Sequence, residues 1–302
     1  YTLTFASTGL VSAVQNITNA PGAATKVTIT GSSTAANDQA LAGQPVVTVR
    51  DASDNVVTGS TASITLTATG ATIGGTVTMN AVNGVANFDG SGVKLTGVVG
   101  AKTITATSTP GGFTANLSVT LTYGTATKLG VSASTVSATN RVNFAAQPTV
   151  TVQDVSGNTV ENATNTIAVS VTSANSADVT LDGTLSASSV VGSRSFADLK
   201  LTGKAATYTI TYSATGLTST TQTATLVAGA PTRMVLDTAA AGAVNGNNFT
   251  TQPVVKLLDA DDNLTTSTAT VSISVSAGVA SGNAVLGLSL IHISEPTRQA
   301  EI

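Results

Sequence analysis

The chain has 302 residues, of which only 9% are charged, and its formal net charge is −3. An ordinary soluble protein has roughly 25% charged residues, and this chain offers neither a basic surface for nucleic acids nor a cationic face for membranes. It has no cysteine, which excludes disulfides, thiolate metal sites and a cysteine nucleophile. We therefore expect no nucleic-acid partner and no membrane insertion by this segment.

The first predicted elements lie in residues 1–21, which begin YTLTFASTGL. This stretch lacks the charged and apolar regions of a signal peptide, and the sequence has no apolar run of transmembrane length. It matches YTITYSATGL, which begins at residue 208. We therefore predict that residues 1–21 are the last two strands of one copy of a repeat.

A long segment recurs along the chain. Its clearest marker is a Gln-Pro element, found as QPVVTVRDASDNVV, QPTVTVQDVSGNTV and QPVVKLLDADDNLT, which begin at residues 44, 147 and 252. The copies are thus 103 and 105 residues apart, and a second marker, GAATKV, GTATKL and GAPTRM, has matching positions. The markers predict a first repeat at 22–123, a second at 124–228 and an incomplete third at 229–287.

Each repeat contains short stretches in which apolar and polar residues alternate. In the second repeat there are seven or eight of them, among them TKLGVSA, PTVTVQD and TYTITYSA, with turn residues between. Alternation with period two predicts strands that bury one face, and this number of strands predicts two packed sheets. No window has the periodicity of an amphipathic helix. The predicted fold class is all-β, with tandem immunoglobulin-like β-sandwich domains in an extended array.

The Gln-Pro element predicts a strand followed by a tight turn. Proline lacks an N–H, so Pro45, Pro148 and Pro253 are expected at the start of a strand. An aspartate follows each strand, and its carboxylate can accept backbone N–H bonds from the turn. These aspartates are Asp51, Asp154 and Asp259. The residue before the asparagine that closes the turn, Asp54 or Gly157, suits a positive φ.

The third copy of the turn, DADDN, allows a second interpretation. Its three carboxylates, on Asp259, Asp261 and Asp262, could hold Ca²⁺ through oxygen ligands. The spacing differs from that of an EF-hand loop, and the other two copies have fewer acidic residues. We favour a turn without metal, keep these three residues as the candidates for calcium, and expect no other cofactor.

Three motifs resemble bacterial immunoglobulin-like repeats of the invasin- and intimin-type surface adhesins: V-x-D-x-x-G-N-x-V, NGVANF at 83–88 and YTIT…ATGL at 208–217. The resemblance covers residues 1 to about 287. One departure is SRSFADLKL in the second repeat, where the first has NGVANFDGSGVKL, so the Asn-Gly turn is missing there. The resemblance implies an extracellular, bacterial cell-surface location, a stalk or adhesive role, a host or neighbouring-cell surface ligand as partner, and no catalytic residues.

The joints between repeats are short. About four residues separate the last strand of the second repeat from the next strand, and they include Pro231, which restricts rotation more than a Gly/Ser linker would. Neighbouring repeats of the chain are therefore expected to form a semi-rigid rod, each adding about 35–40 Å. We predict a structural stalk or spacer segment of a large bacterial surface or secreted protein.

Two alternatives remain open for the function. Loops such as 32–43 and 173–183 could bind a surface ligand directly, or the repeats could be spacers in an extracellular enzyme whose catalytic domain lies outside this segment. Catalysis by the segment itself is not expected. General acid–base chemistry needs a titratable group beside its partner, and residues 1–287 have no histidine and a single glutamate, Glu161.

The last fifteen residues, 288–302, differ in composition from the rest of the chain. They contain the only histidine, His292, and two of the three glutamates. Their first part, LSLIHISEPTR, resembles the translation of a transposase-type sequencing-library adapter. We predict that residues 288–302 are a non-native tail and that the third repeat lacks its closing strands.

Overall fold

The structure, a computed structural model, describes residues 1–274 and 291–292. In this part of the chain there is one short 3₁₀ helix, Ser176–Asp178, and every other regular element is a β-strand. The all-β prediction is confirmed. Most of the predicted tail and the end of the third repeat, residues 275–290 and 293–302, lie outside the described residues.

The chain divides into two compact units. The first contains residues 1–127 and 153–161, and the second contains residues 128–152 and 162–302. The segment 153–161 belongs to the second sequence repeat, and it lies in the unit that contains the first repeat.

The first unit begins with an antiparallel hairpin. Its strands are β1 (Thr2–Phe5) and β2 (Ala13–Asn16). Both strands are exposed along their whole length: Phe5 is 58% exposed, whereas its counterpart in the second repeat, Tyr212, is fully buried. The two strands predicted in residues 1–21 are present and pair with each other.

Ten strands form the first repeat. They are β3 (Lys26–Thr30), β4 (Thr34–Ala36), β5 (Val46–Arg50), β6 (Ser63–Thr69), β7 (Thr72–Gly74), β8 (Thr78–Asn80), β9 (Val85–Asn87), β10 (Lys94–Thr96), β11 (Gly100–Thr109) and β12 (Thr114–Thr122). One sheet has the order β3-β5-β9 and the other β4-β12-β11-β6-β8, with β7 and β10 as a separate pair. Strand β4 is parallel to β12, and the other pairings are antiparallel. Two sheets connected in this way form an immunoglobulin-like sandwich.

The core of the first repeat lies between its two sheets. Alternation turns Val47 and Val49 of β5 inward, at most 1% exposed, while Thr48 between them stays partly exposed. They share one apolar cluster with Ile104 and Ala106 of β11, which are fully buried. Most of the buried side chains are aliphatic, so the fold needs few aromatic residues.

The second repeat has the same arrangement. Its strands are β13 (Lys128–Val131), β14 (Thr135–Thr139), β15 (Thr149–Gln153), β16 (Thr166–Val171), β17 (Val179–Asp182), β18 (Ser186–Ser188), β19 (Ser193–Ser195), β20 (Lys200–Gly203), β21 (Thr207–Ser213) and β22 (Thr220–Val227). The sheet orders are β13-β15-β19 and β14-β22-β21-β16-β18, with β17 paired to β20 and β14 parallel to β22. Val150 and Val152 point inward and the threonines beside them outward, as alternation predicted.

The turn before β19 keeps its shape without the Asn-Gly pair. In the first repeat Asn83 and Gly84 have φ angles of 51° and 79°. In the second repeat Val191 and Gly192 take their place with φ angles of 50° and 67°, and the flanking residues bond to each other in both directions, as in the first repeat. Valine is disfavoured at positive φ, so the surrounding hairpin imposes the turn. The second repeat therefore keeps this turn although the Asn-Gly pair is absent from its sequence.

The third repeat is less well covered than the other two in its described part. Its strands are β23 (Arg233–Thr238), β24 (Val254–Leu258) and β25 (Thr270–Val271), and a further strand, β26 (Ile291–His292), lies in the predicted tail. Strand β23 pairs with β24, and β25 pairs with β26. Met234 is 53% exposed, whereas its counterpart in the second repeat, Leu129, is 4% exposed.

Candidate functional site: Asp-Asn clusters at the repeat joints

Each Gln-Pro element ends in the turn that the sequence predicts. In the second repeat, one carboxylate oxygen of Asp154, Oδ1, accepts the backbone N–H groups of Ser156 and Asn158, both at 3.0 Å. The first and third repeats repeat both bonds within 0.1 Å, through Asp51 and Asp259. The residue before the closing asparagine has a positive φ in all three copies: Asp54 66°, Gly157 85° and Asp262 64°. The turn interpretation is confirmed.

The second carboxylate oxygen, Oδ2, binds the first residue of the same repeat. In the second repeat, Asp154 Oδ2 accepts the backbone N–H of Gly124 at 2.9 Å. In the third, Asp259 Oδ2 accepts the backbone N–H of Gly229 at 2.8 Å. A side chain at Gly124 would place its Cβ only 2.2 Å from the carbonyl oxygen of Asn37. Glycine is therefore required at this position by a close approach of the backbone.

An asparagine from the preceding repeat reaches the same oxygen. Asn37 donates from Nδ2 to Asp154 Oδ2 at 2.9 Å, and Asn140 donates to Asp259 Oδ2 at 2.8 Å. Both asparagines are almost fully buried, at 1% and 3% exposed. Their carbonyl oxygens accept backbone N–H groups of their own repeats, from Gly97 at 2.8 Å and from Gly203 at 3.0 Å respectively.

The asparagine that closes the turn bonds back to the preceding repeat. Asn158 donates to the carbonyl of Gly97 at 2.9 Å and accepts the N–H of Val99 at 3.0 Å. In the next copy Asn263 does the same with Gly203 and Ala205, at 2.8 and 2.7 Å. The bonds therefore run in both directions across each boundary between repeats.

We call these two sets of contacts the first joint and the second joint. The first joint consists of Asn37, Gly97, Gly124, Asp154 and Asn158. The second joint consists of Asn140, Gly203, Gly229, Asp259 and Asn263. The residues of the first joint all lie in the first unit, and those of the second joint all lie in the second unit.

The joint aspartates stay ionised although they are buried. Burial by itself raises the pKa of Asp154, but hydrogen bonds from Asn158 and from the backbone of Gly124 outweigh it, so the pKa lies below its usual value. The pKa of Asp259 is lowered for the same reason, by its contacts with Asn263 and Gly229. A carboxylate that accepts several N–H bonds makes strong, directional contacts at neutral pH.

The three calcium candidates face nitrogen donors. Asp259 belongs to the second joint, and Asp261 binds the guanidinium of Arg141 through two bonds of 2.7 and 2.8 Å. Asp262 pairs with Arg233. In residues 1–274 and 291–292, no group of three acidic or histidine side chains is placed to hold a metal ion. Calcium at these residues stays a prediction.

The glutamine of the Gln-Pro element closes the sandwich. Gln44 accepts the backbone N–H of Val93 at 2.8 Å and donates to the carbonyl of Leu41 at 2.9 Å. Gln147 makes the equivalent bonds in the second repeat. The carbonyl oxygen of Gln252, in the third repeat, is buried and has no partner among the described residues. Each proline that follows directly precedes a strand, as expected.

Sequence reasoning missed Asn37 and Asn140. Their bonds to the joint aspartates span 117 and 119 residues, so no local pattern reveals them. One signal was available: each lies seven residues before the glutamine of its own repeat. Comparing the spacing upstream of the Gln-Pro element in the three copies would have singled them out.

The loops considered as ligand sites contain structural residues. Loop 32–43 includes strand β4, the joint residue Asn37 and the buried Leu41, which is 3% exposed. Loop 173–183 includes the 3₁₀ helix and strand β17. The first of these loops therefore holds two repeats together.

Outside the joints, two further places in the described part of the chain were candidates for chemistry: the single glutamate of residues 1–287 and a cavity in the first repeat. Glu161 is exposed. A cavity of about 180 Å³ in the first repeat is lined by small, hydroxyl and apolar side chains, including Ser60, Ser108 and Phe113, and by no titratable group. None of the helical structure in residues 1–274 and 291–292 has the length and apolar character needed to cross a membrane.

No family model and no curated protein matches the sequence. Among solved structures, the Escherichia coli adhesin FdeC is similar, with 16% identity and a TM-score of 0.34, over 81% of this chain and 77% of FdeC. The Yersinia pseudotuberculosis adhesin InvE has 14% identity and a TM-score of 0.30, over 72% of this chain and 65% of InvE.

A β-glycosidase from Bacteroides vulgatus is also similar, with 12% identity and a TM-score of 0.31, over 69% of this chain. The chain spans only 25% of the length of that enzyme. Adhesins and a glycosidase thus appear side by side in these comparisons. The fold assignment itself rests on the strand order and the pairing of this chain.

Proposed function

We propose that this chain is a non-catalytic spacer segment of a large bacterial cell-surface or secreted protein, an adhesin. The observation that carries the proposal is the repetition of one joint. The aspartates of the two joints are 105 residues apart, and each binds the first glycine of its repeat and an asparagine of the preceding one. A joint that recurs with the repeat suits a chain whose task is to hold modules in a fixed sequence and orientation.

The chemistry of the joint supports fixed orientation. A buried carboxylate without its partners costs several kcal/mol, so Asp154 strongly favours the geometry in which Asn37 and Gly124 both donate to it. Hydrogen bonds depend on angle as well as distance. Rotation of one repeat against the next would break several of these bonds together. The bonds therefore oppose rotation, and the repeats act as a semi-rigid spacer.

The assignment of the whole protein as a bacterial surface adhesin is supported by sequence motifs. The repeat motifs resemble those of invasin- and intimin-type adhesins, whose immunoglobulin-like repeats extend an adhesive tip from the cell surface. A surface ligand on a host or neighbouring cell would be the partner of the whole protein. Sequencing the DNA on both sides of the coding region tests this: a cell-wall anchor supports it, and a hydrolase domain contradicts it.

The spacer role is tested by the distance between two repeats. The chain has no cysteine, so spin labels on Thr114→Cys and Ser186→Cys, both exposed positions, report only on the first and second repeats. We expect double electron–electron resonance to give a narrow distance distribution. Asn37→Ala removes the donor to Asp154 and should broaden the distribution clearly.

A matched control is Asn116→Ala. Asn116 is an exposed asparagine on β12 whose carbonyl accepts the hydroxyl of Thr105 at 2.8 Å, away from the joint. This variant should leave the distribution unchanged. A distribution that is already broad in the parent chain would contradict the spacer role.

A further inference from the structure

Asn245 occupies the position of a joint asparagine in the third repeat. It lies seven residues before Gln252, as Asn37 and Asn140 lie seven residues before their own glutamines. The residue after each asparagine has a positive φ: Asp38 60°, Arg141 66° and Gly246 78°.

The turn is closed by the same bond in all three repeats. In the third repeat the N–H of Asn247 donates to the carbonyl of Val244 at 3.0 Å, and the equivalent bonds in the first and second repeats are 3.1 and 3.0 Å. Asn245 therefore has the local conformation of Asn37 and Asn140.

The surroundings of Asn245 differ from those of the other two. Asn37 and Asn140 are buried, and both ends of their amide groups are hydrogen-bonded. Asn245 is exposed, and its side chain has no hydrogen-bond partner among the described residues. The residue that follows it is glycine, where the other two repeats have aspartate and arginine.

We propose that Asn245 is a site of spontaneous deamidation. The backbone nitrogen of Gly246 loses its proton and attacks Cγ of Asn245, forming a Cγ–N bond while the Cγ–Nδ2 bond breaks and ammonia leaves. Water then opens the cyclic imide at either carbonyl and gives aspartate or isoaspartate. Glycine favours the attack because it has no Cβ to hinder it and has a wide range of backbone conformations. No hydrogen bond holds the N–H of Gly246 among the described residues.

The chain contains an internal control, the second Asn-Gly pair. Asn83 is also exposed, and the glycine that follows it, Gly84, also has a positive φ, of 79°. However, the nitrogen of Gly84 donates to the carbonyl of Ser60 at 3.2 Å, within a hairpin turn closed by bonds in both directions. The backbone nitrogen of Gly84 is therefore held by a hydrogen bond, whereas that of Gly246 has none among the described residues.

Deamidation would change the joint that Asn245 can form, and this consequence rests on the proposed function. The amide donates to an aspartate of the following repeat in both observed joints. The product carboxylate cannot donate and would repel that aspartate. A repeat with the modified residue would therefore lack the hydrogen bond from this asparagine to the aspartate of a following repeat.

Peptide mass mapping of the full chain, after incubation at mildly alkaline pH, tests the site. Deamidation adds about 1 Da. We expect Asn245 to convert about tenfold faster than Asn83, and Gly246→Arg, which copies Arg141, to slow the conversion about tenfold because a Cβ hinders the attack. In urea both Asn-Gly pairs should react at similar rates. Equal rates for the two asparagines in the folded chain would overturn the proposal.

The effect on a joint is tested separately at an occupied one. Asn140→Asp places the product carboxylate beside Asp259. We expect amide exchange at Ala205, whose N–H is held by Asn263, to become about tenfold faster. Unchanged exchange at Ala205 would overturn the consequence for the joint, while the mass measurement decides the modification site by itself.

Discussion

The turn of the first repeat and the turn of the second repeat have nearly the same sequence and the same internal bonds, but only the second is covered. Asn55, which closes the first turn, is exposed, whereas Asn158 is 7% exposed. Asp51 accepts the N–H of Gly22 but, within the described part of the chain, no hydrogen bond from an asparagine of another repeat. The aspartate therefore forms its turn through bonds within its own repeat. The joint is an additional set of bonds between this turn and the preceding repeat.

The largest expected effect comes from removing the covered aspartate. Asp154→Ala leaves the donors of Asn37, Gly124 and Asn158 buried without an acceptor, and we expect it to lower the stability by about 3 kcal/mol. Asp51→Ala removes only the contacts within the first repeat and should cost less. Urea denaturation of a protein of residues 22–228 measures both, with Asp89→Ala, an exposed turn aspartate, as control. Equal losses for Asp51→Ala and Asp154→Ala would show that the joint adds nothing.

The glycines that begin the first and second repeats, Gly22 and Gly124, offer a sharper contrast. A Cβ at Gly124 would lie 2.2 Å from a backbone oxygen, whereas a Cβ at Gly22 would meet nothing nearer than 3.6 Å. Neither glycine has a positive φ, so only crowding distinguishes them. We expect Gly124→Ala to cost about 1–3 kcal/mol and Gly22→Ala to change stability by less than about 0.5 kcal/mol. Thermal unfolding decides between this result and equal tolerance at both sites.

Acid should weaken the joints. The pKa values of Asp154 and Asp259 are lower in the folded chain than in an unfolded one, so these groups stabilise the fold above the unfolded pKa of about 3.9. That contribution is lost as the pH falls through the lower, folded pKa. Calorimetry below about pH 4 should therefore show a steep loss of stability, and Asp154→Asn should make it shallower. The same slope in both proteins would exclude Asp154 as a source of the acid sensitivity.

Much of the fold could be predicted because strand periodicity is local. The valines of β5 and β15 alternate with threonines, and their buried face followed directly from this pattern. The short strand β4 could not be predicted, because it pairs with β12, about 86 residues away. The turn before β19 has no Asn-Gly pair to reveal it, because the hairpin holds Val191 at a φ that its side chain disfavours.

Of the residues in the two joints, the aspartate turns could be predicted from the sequence, and the asparagines of the preceding repeats could not. The Asp51, Asp154 and Asp259 turns follow from residues within four positions of each other, where side-chain to backbone bonding is local. The asparagines that bind Asp154 and Asp259 from the preceding repeat lie more than a hundred residues earlier, beyond the reach of a local pattern. Whether a turn is covered is a property of its neighbour and is not recorded in the turn sequence.

Hydrogen exchange at Gly97 and Val99 tests the existence of the first joint most directly. Their N–H groups donate to Asn37 at 2.8 Å and to Asn158 at 3.0 Å. We expect NMR to show both amides protected in the parent chain and exchanging about tenfold or more faster in Asp154→Ala, while Val49, bonded within the first repeat, is unchanged. Unprotected exchange at Gly97 and Val99 in the parent chain would contradict the joint.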